Sequence, residues 1–239
     1  MVRKSPRTLL SAVRHAFPSL EDPEQAIGEG KISVDGSVNR NAQSAVGAGS
    51  QISLAQPSIL RGVAKLRAAL ERFEVPVEGR VALDVGAAAG GFTKVLLERG
   101  ARLVYAVDAG HGQLLGSLRQ DPRVRNLEAT NLGTLDKKLV PDPIELFTLD
   151  LSYLSLADAA PQLERVGISD HADLVALVKP MFELHLSRPP EDAASQQRAL
   201  ELAREGIAKA GWEVVSWMDS PVTGARGAVE FLVHATRGG

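Results

Sequence analysis

Between Leu83 and Phe92 the chain reads Leu-Asp-Val-Gly-Ala-Ala-Ala-Gly-Gly-Phe. An apolar run with strand character enters a stretch of small residues, Gly86 to Gly91, and leaves it in a helical pattern. Small side chains at a strand end let the backbone approach a ligand closely. The spacing is not Gly-x-Gly-x-x-Gly, which weakens a dinucleotide reading, and no Gly-Lys-Ser/Thr follows, which removes a P-loop. Asp108, 24 residues after Asp84, ends the next apolar run. A carboxylate there can accept both hydroxyls of a ribose, in NAD and in S-adenosylmethionine alike. If the ligand is S-adenosylmethionine, Asp84 stands where its methionine amino group could be met. The same residues also admit a structural reading, with small residues for tight helix–sheet packing and a strand-end Asp as a helix cap. The five histidines, His15, His111, His171, His185 and His234, show no ligand spacing, and there is no cysteine, so no metal is expected.

The elements that must position these residues follow from periodicity. Short apolar strands, Arg80–Val85, Arg102–Val107, Arg123–Leu127, Ile144–Asp150 and Ala172–Lys179, alternate with helical patterns near 91–99, 112–120, 156–166 and 193–210. This predicts an α/β fold: a Rossmann-like, mostly parallel sheet with helices on both faces. Two late strands, Glu213–Met218 and Ala228–Ala235, leave no room for a helix between them and predict an antiparallel edge. A helix over Ser58–Phe73, with Leu60, Val63, Leu66 and Leu70 in one stripe and Ser58 as N-cap, precedes them. Pro57 marks a break. Before it, residues 1–55 read as a small α+β domain: helices at Thr8–Phe17 and Pro23–Gly28, a strand from Lys31, an Asp35-Gly36 hairpin turn, and a strand at Ser50–Leu54. The second domain is then 58–239.

Composition narrows the function. The 239 residues carry 27 Lys+Arg against 29 Asp+Glu, a net charge of −2, so a bulk basic surface is excluded and nucleic-acid binding would need a local patch. Residues 1–55 hold six basic and five acidic side chains. No run approaches the ~20 apolar residues of a membrane span. Met1 to Leu10 has basic residues without a following apolar stretch, so no secretory signal is expected and the cytosol is the expected compartment.

Several ordered segments then carry a family resemblance. They are Asp84-Val-Gly-Ala-Ala-Ala-Gly-Gly-Phe-Thr93, Val104-Tyr-Ala-Val-Asp108-Ala-Gly, Gln113-Leu, Leu118–Arg123, Thr130-Asn131, Asp150-Leu-Ser-Tyr-Leu-Ser155, Leu177-Val-Lys179-Pro-Met-Phe-Glu183 and Ser220-Pro-Val-Thr-Gly224. Over nearly the whole chain the sequence resembles the hemolysin A/TlyA family of S-adenosylmethionine-dependent ribosomal RNA 2′-O-methyltransferases, related to the FtsJ heat-shock methyltransferases. The resemblance implies a Lys-Asp-Lys-Glu catalytic tetrad, which falls on Lys65, Asp150, Lys179 and Glu230. It implies cofactor contacts at Asp84, Gly86, Ala87, Gly90, Gly91, Phe92, Asp108, Ala109, Asn131 and Leu132. It makes residues 1–55 similar to the RNA-binding domain named after small-subunit ribosomal protein S-four, in degenerate form, because Leu20-Glu-Asp-Pro-Glu24 is acidic where the family is Ser- and Arg-rich. Met181 stands where the family has Gln, and Leu184–Glu191 replaces a glycine- and lysine-rich loop.

A 2′-hydroxyl is a poor nucleophile that must be oriented and deprotonated as it attacks a methyl group. Lys179 is the expected centre of that chemistry, as base or as orienter. The expected partner is RNA, with a nucleoside-like or other small hydroxylated metabolite as the alternative substrate and a non-catalytic RNA-binding relative as a third reading. A pore-forming cytolysin finds no amphipathic or apolar segment of suitable length to support it.

Overall fold

The computed structural model describes residues 7–28, 30–34, 37–39, 41–47, 49–54 and 58–238. The chain divides into two compact units, Met1–Leu60 and Arg61–Gly239.

The first unit contains β1 (Arg7–Thr8), α1 (Leu9–Ala16), α2 (Pro23–Gly28), β2 (Ile32–Val34), β3 (Ser37–Val38), β4 (Ala45–Val46) and β5 (Ile52–Leu54). Thr8 caps α1 by accepting from the Ser11 N–H, and Asp22 caps α2 by accepting from the Gln25 N–H at 2.9 Å. Asp22 is therefore spent on a helix end, with Pro23 at the first helical position, where its missing N–H costs nothing. β2 pairs antiparallel with both β3 and β5, while β1 pairs with β4. The short strands β1, β3 and β4 add to the helix–helix–strand–strand order read from the sequence. The Asp35-Gly36 turn, between the paired Val34 and Ser37, lies outside the described residues, as does the Pro57 break. Leu9, Val13, Ala26, Ile27, Ile32 and Val46 form a separate small core.

The second unit follows α3 (Ser58–Phe73) with β6 (Val81–Val85), α4 (Gly91–Glu98), β7 (Leu103–Asp108), α5 (Gly116–Arg119), β8 (Val124–Glu128), β9 (Ile144–Leu149), α6 (Leu156–Ala159), β10 (Ile168–Val178), α7 (Pro180–Glu183), α8 (Ala193–Lys209), β11 (Glu213–Asp219) and β12 (Phe231–Gly238). The seven strands lie in the order β11-β12-β10-β9-β6-β7-β8. β6 through β10 are mutually parallel, and β12 runs antiparallel to both its neighbours. This is the mostly parallel, helix-covered sheet the alternation predicts. The reversed strand is not the outermost: β12 sits inside and β11 takes the edge. Of these two strands, β12 carries an uninterrupted buried run, Phe231 to Ala235, whereas every second residue of β11 is exposed. An apolar run belongs inside the sheet and an alternating one at its rim.

Val81, Leu83 and Val85 of β6 pack into a core with Leu156 of α6 and Leu200, Ala203 and Ile207 of α8. Alternate residues of the same strand face the other way, where Asp84 meets Thr93 of α4. Helices thus cover both faces, which is why the strands read as nearly continuous apolar runs. Some helical segments end early for local reasons. Gly112 has φ +68°, so α5 starts only at Gly116. α6 gives way after Ala159 to a 3₁₀ turn containing Pro161, which cannot donate to a helical ladder.

The chain runs outward from β6 to β8, then returns to place β9 on the other side of β6. Such a reversal of strand order opens a crevice at the carboxyl ends of the central strands.

Candidate active site

A cavity of about 190 Å³ occupies that crevice. Its walls come from the ends of four strands and the loops after them: Val85 and Gly86 from β6, Val107, Asp108, Ala109 and Gln113 from β7, Thr130 after β8, and Asp150, Ser152 and Tyr153 after β9, with Ala88 from the small-residue loop.

The loop is built around close approach. Gly86 has φ +86°, and a β-carbon there would lie 2.3 Å from the Asp150 carbonyl oxygen. Gly86 and Ala87 N–H groups both donate to the Val107 carbonyl, tying β6 to β7 where the loop departs. Gly90 caps α4 in a left-handed conformation, and a β-carbon on it would collide with Leu118 and Leu114. No side chain larger than hydrogen fits at either place without moving backbone or core.

Asp108 ends β7 and accepts the Ala88 N–H at 2.8 Å through Oδ2 and the Gly110 N–H at 2.6 Å through Oδ1. One bond on each oxygen leaves acceptor capacity, since a carboxylate offers about four lone-pair sites. Its carboxylate lines the cavity beside Val85, Val107 and Ala88, an acceptor set among small apolar groups that fits a ribose and its base.

Asp84 does not reach the cavity. It is wholly buried, with Oδ2 accepting from Thr93 Oγ1 at 2.6 Å and Oδ1 from Thr148 Oγ1 at 2.9 Å. Burial, with the charge of Asp150 adding to it, pushes its carboxyl up to about 6 despite these bonds. It fastens α4 to β6 and β9. Of the other residues assigned to the cofactor, Gly86, Asp108 and Ala109 line the cavity. Ala87, Gly90, Gly91 and Phe92 shape the loop and the helix start behind it, Asn131 is exposed, and Leu132 lies in the core. Gln113, Thr130, Ser152 and Tyr153 are lining residues that the site assignment omits, although they stand in the motifs quoted above. Their signal is position: each follows the carboxyl end of one of the parallel strands.

The four candidate catalytic residues form two ion pairs. Lys179, between β10 and α7, places Nζ 2.6 Å from Asp150 Oδ1 and donates to Ser152 Oγ at 2.9 Å, with its charge 6.0 Å from the Phe182 ring centroid. Lys65 of α3 places Nζ 2.5 Å from Glu230 Oε2, and both side chains are buried. Two charges taken out of water are expensive even when paired, so a buried pair is weak evidence for stability and calls for another reason. α3 reaches this position because Gly62 lets it pack against α4, its missing β-carbon falling 3.2 Å from the Gly91 Cα.

Glu183, at the end of α7, is a further buried carboxyl. Its Oε1 accepts the Leu156 N–H at 2.8 Å, and its Oε2 has no partner. Burial pushes it up to about 7, with Asp158 acting in the same direction. It thereby links the segment after Lys179 to the segment after Asp150.

Comparison with known proteins shows the family. The family described as FtsJ-like methyltransferase matches residues 59–237. The 16S/23S rRNA (cytidine-2′-O)-methyltransferase TlyA of Mycobacterium tuberculosis is 38% identical over 224 residues, covering 90% of this chain and 83% of that protein. Hemolysin A of Brachyspira hyodysenteriae is 34% identical over 182 residues, covering 74% and 75%. A solved structure from Lactococcus lactis, described as a hemolysin, superposes with a TM-score of 0.70 at 33% identity, covering 74% of this chain and 87% of that one.

Proposed function

Because the chain belongs to the FtsJ-like methyltransferase family, and is thus an S-adenosylmethionine-dependent methyltransferase, we propose that it methylates a ribose 2′-hydroxyl of RNA, ribosomal RNA in particular. The observation that carries this reading is Lys179, held by Asp150 and Ser152, both of which line the cavity. Asp108 and the loop Gly86–Ala88 hold the cofactor, with Asp108 accepting from the ribose hydroxyls. The bound cofactor supplies an electrophilic methyl group on a sulfonium.

The chain's own residues do the rest. Asp150 and Ser152, both in the cavity wall, hold the Lys179 Nζ, which orients the attacking hydroxyl. The Lys179–Asp150 pair takes up the proton released as the oxygen attacks. Lys65 and Glu230 form the second half of the tetrad and hold the hydroxyl's surroundings in fixed polarity. Tyr153, 46% exposed, forms part of the entrance through which a nucleotide would pass. The first unit serves as a weak RNA-binding element, since the acidic side chains Glu21, Asp22 and Glu24 are exposed and Asp22 is committed to capping α2. A ribosomal substrate would place the protein in the cytoplasm; among the described residues no helix is long and apolar enough to cross a membrane.

The test is methyl transfer from labelled cofactor to ribosomal RNA and subunits, followed by mass spectrometry of the nucleosides, with free nucleosides assayed alongside. A 2′-O-methylnucleoside in the RNA digest supports the proposal. Methylation of free nucleosides with none in RNA would shift the substrate to a small metabolite, and a base-methylated product would overturn the reaction.

A further inference from the structure

We propose that Glu128, outside the catalytic tetrad and absent from the cavity wall, is the positioning residue for the adenosine side of the cofactor pocket. It ends β8, directly across from Asp108 in the β7–β8 register. Its carboxylate takes four hydrogen bonds. Oε1 accepts the backbone N–H of Gln113 at 2.5 Å and of Leu114 at 3.1 Å, and Oε2 accepts from Asn126 Nδ2 at 2.9 Å and Arg119 Nη2 at 3.2 Å.

The two backbone donors belong to the loop between Asp108 and α5, and that loop forms one wall of the cavity. Gln113 lines it directly. Leu114 is buried and lies against Gly90, where a β-carbon would meet its Cδ1 at 2.8 Å. Arg119 closes a ring by donating also to the Leu114 carbonyl at 3.1 Å. Glu128 therefore holds Gln113 against the cavity and Leu114 against the glycine of the small-residue loop. The segment is tied at its ends, Gly110 to Asp108 and Ala129, and Leu115 to Ala89, and between them it contains Gly112 and no regular structure before Gly116. The hydrogen bonds hold the Glu128 carboxyl down at about 2 against the opposing effect of burial, so it is charged at any physiological pH and its bonds are charge-assisted. Preorganising a binding wall raises affinity because the loop need not be ordered when the ligand arrives.

This inference rests on the cavity being the cofactor site, so the experiment reads the loop and the affinity separately. Hydrogen exchange at Gln113 and Leu114 is followed in the free full-length protein, and S-adenosylmethionine and S-adenosylhomocysteine binding is measured by calorimetry, for wild type, Glu128→Ala, Glu128→Asp and Glu128→Gln. Glu128→Ala is expected to speed exchange at those two amides, leave Ala106 in β7 unchanged, and weaken cofactor binding about tenfold or more, the loss expected for charge-assisted bonds. Glu128→Asp keeps the charge but withdraws the carboxylate by one methylene, and should weaken binding in the same sense. Glu128→Gln should bind more tightly than Glu128→Ala but short of wild type, because one amide oxygen can still accept both backbone donors while the charge that pairs with Arg119 is lost. Its NH₂ would find the Asn126 Oδ1, which is buried without a partner, once that amide turns over.

Wild-type affinity in Glu128→Ala, unchanged exchange at Gln113 and Leu114, or a Glu128→Gln variant as weak as Glu128→Ala would each overturn the proposal. Wild-type protein that bound neither ligand would count against the site reading, and the exchange arm would still decide whether Glu128 holds the loop.

Discussion

Gly224 leaves the space that the Glu230 carboxylate occupies: a β-carbon at position 224 would lie 2.2 Å from Oε1 and 2.6 Å from Cδ. The backbone at Gly224 has φ −70°, which any residue adopts, so the requirement for glycine there is one of room and not of conformation. The two lie six positions apart, joined by a loop that returns on itself through the Gly224 N–H to Ala228 carbonyl bond.

Gly224→Ala should therefore displace Glu230 and break its pairing with Lys65. Overpacking of this kind costs about 1–3 kcal/mol. Methyl transfer is expected to fall by ~10-fold or more, with cofactor affinity nearly unchanged, and the Gly224→Ala/Glu230→Ala double variant should be no slower than Glu230→Ala alone. Additive losses in a single-turnover assay would show that the glycine acts elsewhere.

Lys179→Met keeps the side-chain length and removes the charge that bridges Asp150 and Ser152. The transfer rate should drop by ~10²–10⁴, the range for a positioned acid–base group, while calorimetric cofactor binding stays near wild type. Lys179→Arg should not restore it, because a guanidinium does not give up its proton. Near-normal single-turnover rates in Lys179→Met would remove this residue from the mechanism.

Glu183 binds its proton more tightly in the folded chain, at about 7, than at its ordinary value of 4.5. Between those values the folded state carries the extra proton, so stability declines as pH rises through the window. Glu183→Gln retains an acceptor for the Leu156 N–H and has no charge to desolvate. Its melting temperature should exceed that of wild type near pH 8, approach it near pH 5, and fall less steeply between them, with the slope that Asp84 contributes below about pH 6 remaining. A wild-type profile flat over that range would contradict the assignment.

Asp173 of β10 sits between Arg80, at 2.5 Å, and His234, at 2.7 Å. Burial opposes its ionisation, but the bonds from His234 and Arg80 outweigh that and hold the carboxyl below its ordinary value. Its contribution is thus present at neutral pH and is lost as pH falls through the acid range below about 4. Asp173→Asn leaves Arg80 without its counter-charge and should cost up to about 3–5 kcal/mol at neutral pH, while flattening the acid limb of the unfolding curve. Equal denaturation midpoints at neutral pH would rule this out.

Much of the site was legible in order along the chain. The small residues after Val85 and the carboxylate at Asp108 announce a ligand site because close backbone approach and a strand-end acceptor are local properties. Helix–strand alternation is local too, and it fixes a mostly parallel sheet. The four candidate catalytic residues were picked out through the resemblance to family motifs, whereas their division into Lys65–Glu230 and Lys179–Asp150 pairs came only from the fold. What the chain alone determined, then, is which residues stand at the carboxyl ends of strands. The tertiary structure decided which way the carboxylates in and after those strands face: Asp84 turns to Thr93 and Thr148, Glu128 to the backbone of Gln113 and Leu114, and Glu183, at the end of α7, to Leu156. A strand covered on both faces is apolar throughout, so its pattern does not say which face a lone carboxylate takes; that depends on the helix and neighbouring strand packed against it.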